Sequence, residues 1–374
     1  APLAAEAARL LGPRIDQGLV VTKAGFGLPR LPFPQHECGH PVPDAHGLAA
    51  AEAAEALLRG RDARDVVLVL ISGGASALLP APVPGVTLAD KQALSQAMLR
   101  ADMDIHAINR VRKALSRLKG GGMARLAAPA RVVGLYLSDV PGDDLASIGS
   151  GPTVPQPADP ASAAALLRAR GLWEAAPATV RAALVRPAQS PPPAGSTYPP
   201  PLNVLIGANR HLLRAVAQAA RAVGFAPVVD EEPLTGRVEQ AVEALRARWA
   251  ELPASTPGPA GGRPCLILGG EVTVEVRGLG RGGRCQELAA RMLPHLDPRS
   301  VFLALGSDGN DGSTDAAGGL VHAGAWRAVA ARGIAYRALL EDNDAYALLD
   351  ALDCLLRIAP TRNNLMDLYA FFGG

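Results

Sequence analysis

Along this chain, short apolar runs end in Gly or Ser and give way to helical patterns. The clearest runs are Asp65 to Ile71 (DVVLVLI), Arg131 to Leu137 (RVVGLYL), Asn203 to Ile206 (NVLI), Pro264 to Leu268 (PCLIL) and Val301 to Leu305 (VFLAL). Near-continuous apolar runs of this length mark strands covered on both faces of a mainly parallel sheet. Residues 272–276 (VTVEV) alternate instead, the pattern of a half-exposed strand. Helical spacing runs from Ile108 to Gly122 (INRVRKALSRLKGGG), continues in CQELAARML from Cys285, and begins near Pro2 in PLAAEAARLLG. Two proline-rich stretches, Pro187 to Pro201 and Pro253 to Pro264, read as solvated connections, because proline cannot donate to a sheet ladder.

This alternation predicts an α/β protein of two domains, 1–200 with a mainly parallel, Rossmann-like sheet and 201–374 as a second α/β domain. Composition agrees with a globular chain: 374 residues, 49% hydrophobic and 19% charged. With 37 basic and 35 acidic residues interspersed, there is no basic stripe to track a phosphate backbone, so nucleic acid is excluded as a partner. No apolar run approaches the roughly 20 residues of a membrane span, and the start lacks the pattern of a signal peptide, so the expectation is a cytoplasmic protein without a membrane partner. Cys38, Cys265, Cys285 and Cys354 are widely spaced and read as free thiols. The basic set contains only four lysines, Lys23, Lys91, Lys113 and Lys119, against 33 arginines, which makes a lysine inside a motif informative.

The chemistry gathers in loops. Ser72 to Leu78 (SGGASAL) follows a strand and turns through Gly73 and Gly74; exposed backbone N–H groups with the hydroxyls of Ser72 and Ser76 suit a phosphate or carboxylate. An ordinary strand-to-loop turn is the alternative. Downstream, helical spacing puts Arg112, Ser116 and Lys119 on one face, beside Asn109 and Lys113, either converging on an anion or forming a solvated face.

Leu137 to Thr153 (LSDVPGDDLASIGSGPT) lies beyond a strand's carboxyl end, where open α/β sheets bind ligands. Asp139, Asp143 and Asp144 suit a hydrated magnesium ion or a general base for a hydroxyl, whereas aspartates in a plain turn cap backbone amides. Ser150, Gly151 and Thr153 continue this loop.

In the second half, Gly278, Gly280 and Gly283 formally match G-x-G-x-x-G, which invites a dinucleotide reading. The preceding alternation argues against it, and Arg277, Arg281 and Arg284 around these glycines suit a transferring phosphoryl group. Gly306 to Gly319 (GSDGNDGSTDAAGG) brings Asp308, Asp311 and Asp315 but not the ligand order of an EF-hand.

Taken in order, GHPVPD (Gly39 to Asp44), SGGASAL, NRVRKALSRLKGG, SDVPGDD, SGPT, GGEVTV, GRGGRCQE and SDGNDGSTDAAGG resemble the class II glycerate kinases, formerly labelled hydroxypyruvate reductases, whose C-terminal part is the MOFRL domain (here about 264–370). The resemblance implies a kinase that uses ATP and Mg2+ to phosphorylate D-glycerate at the 2-hydroxyl. On it, Arg284, Lys119 and Asp144 are expected to be catalytic and Asp139, Asp308 and Asp311 to hold metal. His40, Asp44, Ser72, Gly73, Gly74, Ser76, Asn109, Arg112, Lys113, Ser150, Gly151, Thr153 and Arg281 are expected to bind nucleotide or substrate. A homodimer stays open.

Three departures stand out. The family's N-terminal GKA lysine is expected upstream of Ala1, about one strand–helix unit away, and Lys23 in VVTKAGFG is not its substitute. Cys285 replaces the usual Asn, and APTRNNLMD (Ala359 to Asp367) replaces GPTGTNVND. An NAD(P)H-dependent hydroxypyruvate reductase and a binding module without turnover are the competing functions.

Overall fold

The computed structural model describes residues 1–101, 103–156, 159–186, 199–252 and 262–373. Most of the two proline-rich connections, 187–198 and 253–261, lies outside them. The chain divides into two compact units, Ala1–Ile206 and Gly207–Gly374.

In the first unit, β1 (Val20–Lys23) and β2 (Gln35–Cys38) form a parallel pair. A second sheet has the order β3 (Val66–Ile71), β4 (Arg131–Leu137), β5 (Leu202–Gly207). β3 and β4 run parallel from Val66 opposite Arg131 to Ile71 opposite Tyr136, so both deliver their carboxyl ends to the same side. That register brings the SGGASAL and SDVPGDD loops together. β5 is at the sheet edge, and Leu202, Val204 and Ile206 are exposed on one of its faces, unlike the fully covered strand expected of NVLI. Side chains on that face have no layer packed over them among the residues of the first unit's core clusters.

The helix expected over Ile108 to Gly122 is broken. It spans Ile105–Ala114, and a new short helix runs Gly122–Ala127. Between them the backbone turns to pair with another segment: Arg117 N–H donates to the Ala81 carbonyl at 2.9 Å and Ser116 bridges to Pro82. Arg112, Ser116 and Lys119 therefore do not share a helix face; a tertiary pairing overrides the local spacing. Gly120 and Gly121, at φ 56° and 78°, take the left-handed turn that L side chains avoid.

The second unit is built on a mixed sheet in the order β10-β9-β8-β11-β7-β6. Its strands are β6 (Phe225–Arg237), β7 (Arg263–Thr273), β8 (Val301–Gly306), β9 (Gly318–His322), β10 (Leu355–Leu356) and β11 (Asp367–Phe372). Here the mainly parallel expectation does not extend. β7 and β8 are separated by the C-terminal β11, which runs antiparallel to both, and of the pairs only β6 with β7 is parallel. β7 ends at Thr273, so only the start of the alternating VTVEV segment is strand. The helix Arg284–Met292 buries Cys285, Leu288, Ala289 and Met292 against this sheet, in a core with Phe302, Tyr369 and Phe371. Trp249 stacks on Phe371 at 4.0 Å between centroids.

Candidate functional site

In the first unit, four sequence-distant motifs meet at the loop after β3. Gly74 turns at φ 81° into the single helical turn Ala75–Leu78. The amides of Gly73, Gly74, Ala75 and Ser76 find no acceptor among the described residues. Asp139 lies on Gly73 so closely that a Cβ there would sit 1.9 Å from its Oδ2, and the His40 ring would sit 3.1 Å from a Cβ on Gly74. The Ser76 and Ser150 hydroxyls are 2.9 Å apart, and Ser150 donates to Asn109 Oδ1 at 3.2 Å. Ser72 is exposed beside them.

Electrostatics sort the charged groups here. Burial pushes the Asp139 carboxyl up, and no other residue donates to it among those described. Burial lowers the His40 imidazole, and Lys23 and then Arg112 lower it further, so both cations share its surroundings. Arg112 itself is half-buried with no hydrogen bond or ion pair among the described residues.

Other expected residues have structural duties. Asp44 caps the helix Ala45–Leu58, accepting from Gly47 N–H at 2.8 Å and Gly39 N–H at 2.9 Å. Thr153 is fully buried between Tyr136 Oη at 2.5 Å and Asn203 Oδ1 at 2.6 Å. Asp144 accepts from Ser147 Oγ at 2.6 Å and Ala146 N–H at 3.1 Å, bonds that hold its carboxyl below the usual range. Lys113 donates to Gln156, and Gly151 accepts from Gly121 N–H, tying the SGPT segment to the glycine turn. Lys119 is 4% exposed, its amino group directed inward to the Ser76 and Leu79 carbonyls at 2.9 Å each.

The second unit presents a different picture. Arg284, at the start of its helix, donates Nε to Asp367 Oδ2 at 2.7 Å, Nη2 to Asp367 Oδ1 at 3.0 Å and Nη1 to Glu271 Oε1 at 2.5 Å. Asp311 is buried under the same helix, accepting from the amides of Cys285 at 3.1 Å and Gln286 at 2.8 Å, and burial pushes its carboxyl up to about 6. Asp308 Oδ1 accepts from Asn310 N–H at 3.0 Å. Asp311 is thus committed as a cap, and no group of three His, Cys, Asp or Glu residues among those described is arranged to hold a metal ion. Arg281 is exposed and lies 4.6 Å over the Tyr346 ring. The departing segment 359–367 flanks the aspartate loop, with Thr361 N–H on the Asp308 carbonyl at 2.8 Å.

Two of the three formal dinucleotide glycines, Gly278 and Gly280, are already occupied. The amides of Arg277, Gly278, Leu279, Gly280 and Arg281 all donate to Asp342, Asn343 or Asp344. In the helix that follows, the amides of Cys285 and Gln286 go to Asp311, which leaves those of Gly282, Gly283 and Arg284 without an acceptor among the described residues.

Sequence reasoning gave no site role to Asp367, Glu271, Asn209 or Lys91. Asn209 donates to the carbonyls of Leu365 at 2.7 Å and Asp367 at 3.0 Å, and a Cβ on Gly269 would fall 1.8 Å from its Oδ1. Asp367 carried one signal, a lone acid opening the apolar strand DLYAFF.

Family comparison fits these two units. Residues 1–185 match a domain of unknown function, DUF4147, and residues 264–367 match the MOFRL family. A glycerate kinase of Homo sapiens is 36% identical over 99% of this chain and 82% of its own length. A glycerate 2-kinase of Pyrococcus horikoshii is 33% identical, covering 94% of this chain and 80% of that protein. The crystal structure of a Thermotoga maritima glycerate kinase superposes with a TM-score of 0.88 at 33% identity, covering 100% of this chain and 88% of that one. The chain belongs to the glycerate kinase family that joins DUF4147 and MOFRL domains.

Proposed function

We propose that this protein transfers the terminal phosphoryl group of ATP to the 2-hydroxyl of D-glycerate. The observation that carries the reading, beside the family, is the run of free amides in the glycine loop of the first unit. Four consecutive amides from Gly73 to Ser76 are free to donate to an anion, while those from Arg277 to Arg281 are spent within the protein.

Phosphoryl transfer asks a protein chiefly for positioning and charge stabilisation. The Gly73–Ser76 amides cradle phosphate or carboxylate oxygens, Arg112 and His40 add donors at the rim, and Ser150, itself held by Asn109, fixes the Ser76 hydroxyl. Asp139, uncompensated and half-buried, is the carboxylate that best fits magnesium, which is held in kinases by one or two carboxylates plus substrate phosphates. When bound, the ion would neutralise phosphate oxygens. Arg284, gripped by two carboxylates, retains one N–H on each Nη nitrogen for a ligand.

The test supplies ATP, Mg2+ and D-glycerate and follows ADP, then adds enolase, which converts 2-phosphoglycerate but not the 3-phosphate. Phosphoenolpyruvate formation is expected. NADH consumption with hydroxypyruvate in place of ADP release would refute the assignment.

A further inference from the structure

Two of the four lysines in this arginine-rich chain are buried in the first unit without a carboxylate partner among the described residues: Lys91 is 7% exposed and Lys119 4%. Each amino group donates to a pair of backbone carbonyls. Lys119 reaches Ser76 and Leu79, both at 2.9 Å. Lys91, on the helix Leu88–Arg100, reaches Pro80 at 2.6 Å and Leu115 at 3.1 Å. Arg117 completes the row on the Pro82 carbonyl while its Nε donates to Glu55 at 2.6 Å.

Carbonyls of Ser76, Leu79, Pro80 and Pro82 thus all face basic groups on the inner side. Ser76 is inside the single turn Ala75–Leu78 and Leu79 is its C-cap, so Lys119 satisfies carbonyls that a helix end leaves orphaned. In a helical turn carbonyls and amides point in opposite directions along the axis. Anchoring the carbonyl end therefore fixes where the free amides of Gly73 to Ser76 point. A compact amino group on an unbranched stem fits between two carbonyls; a planar guanidinium fork is matched to carboxylates instead.

We propose that Lys119 is a positioning residue that holds the Ser72–Leu79 loop in its anion-binding conformation from beneath, with Lys91 anchoring the adjoining Pro80 carbonyl to Leu115, rather than either being a group that touches the transferred phosphoryl. This rests on the reading of that loop as part of the kinase site.

The experiment compares Lys119→Met, Lys91→Met and Gly73→Ala in the full chain by amide hydrogen exchange and steady-state kinetics. For each lysine variant the expectation is exchange about tenfold faster at the hydrogen-bonded amides of Ala77 and Leu79, read in peptides spanning 72–79, with β7 and β8 unchanged. The kcat is expected to fall about tenfold or more, since small displacements of a positioning element cost up to about a hundredfold. Unchanged exchange in 72–79, acceleration spread evenly over the first unit, or unchanged kcat would overturn the proposal. If Gly73→Ala is inactive while both lysine variants stay fully active, the loop belongs to the site and the positioning role alone fails. If Gly73→Ala is fully active, the site reading fails and takes this proposal with it. Should Lys119→Met not fold, Lys91→Met decides on the same readouts.

Discussion

Arg284 grips Asp367 through two hydrogen bonds, Nε to Oδ2 at 2.7 Å and Nη2 to Oδ1 at 3.0 Å, and Asp367 is 1% exposed. The pair ties the first turn of the helix Arg284–Met292 to the first residue of β11. Tyr369 Oη donates to the same carboxylate at 3.0 Å. Removing one member strands the other, and truncating one partner of a buried pair costs about 3–5 kcal/mol, less here because Arg284 remains a third exposed. Arg284→Ala is expected to lower both stability and turnover, and Asp367→Ala stability to a similar degree. A double-mutant cycle in urea unfolding should give a coupling of about 1–3 kcal/mol. Additive effects would show that the two residues act independently.

Gly73→Ala tests the contact with Asp139. The new Cβ would lie 1.9 Å from Oδ2, a separation no real structure allows, so the carboxylate must swing away. Turnover is expected to fall by about a hundredfold or more with the fold intact, in the range of losing one preorganised electrostatic group. Asp139→Asn should raise the magnesium concentration needed for half-maximal rate. An unchanged magnesium dependence would remove Asp139 from the metal site.

Burial, then Arg112 and Arg117, push the Lys91 amino group down to about 7. The unfolded chain holds that proton up to about pH 10.5, so folding expels it at pH 7.5–8.5 and stability rises with pH there. The contribution approaches about 1.4 kcal/mol per pH unit. Lys91→Met should flatten this slope in urea unfolding measured at both ends of the window. Parallel slopes in the two proteins would mean that Lys91 stays charged in the fold.

All four thiols are buried and unpaired, and burial pushes them up, Cys38 and Cys354 to about 11 and Cys265 to about 12. Cys285, fully enclosed, is raised further by Asp367 and Asp311. Thiol reagent is expected to label none in the native protein and all four after unfolding. Rapid native labelling of Cys285 would show that the start of its helix opens.

Much of the first unit's site was legible because its signals are local. A strand ending in Ser72-Gly73-Gly74 and another ending in Ser138-Asp139 announce loops, and period and glycine placement are properties of neighbouring residues. The roles inside those loops were less legible. Asp44, Asp144 and Asp311 look alike in sequence to Asp139, yet three are engaged by nearby donors and one is left without a partner.

The amino-acid sequence by itself determined the α/β alternation, the glycine turns and the family motifs, since each depends on spacing along the chain. Only the tertiary structure decided which amides are free. The 277–281 amides are consumed by Asp342 to Asp344, more than sixty residues away, and the 73–76 amides are not. It also ended the Ile105–Ala114 helix early, because Arg117 found the Ala81 carbonyl, and placed β11 between β7 and β8. Hydrogen-bond partners separated by many residues leave no periodicity to read, and a buried donor takes whichever acceptor the fold brings within 3 Å or so.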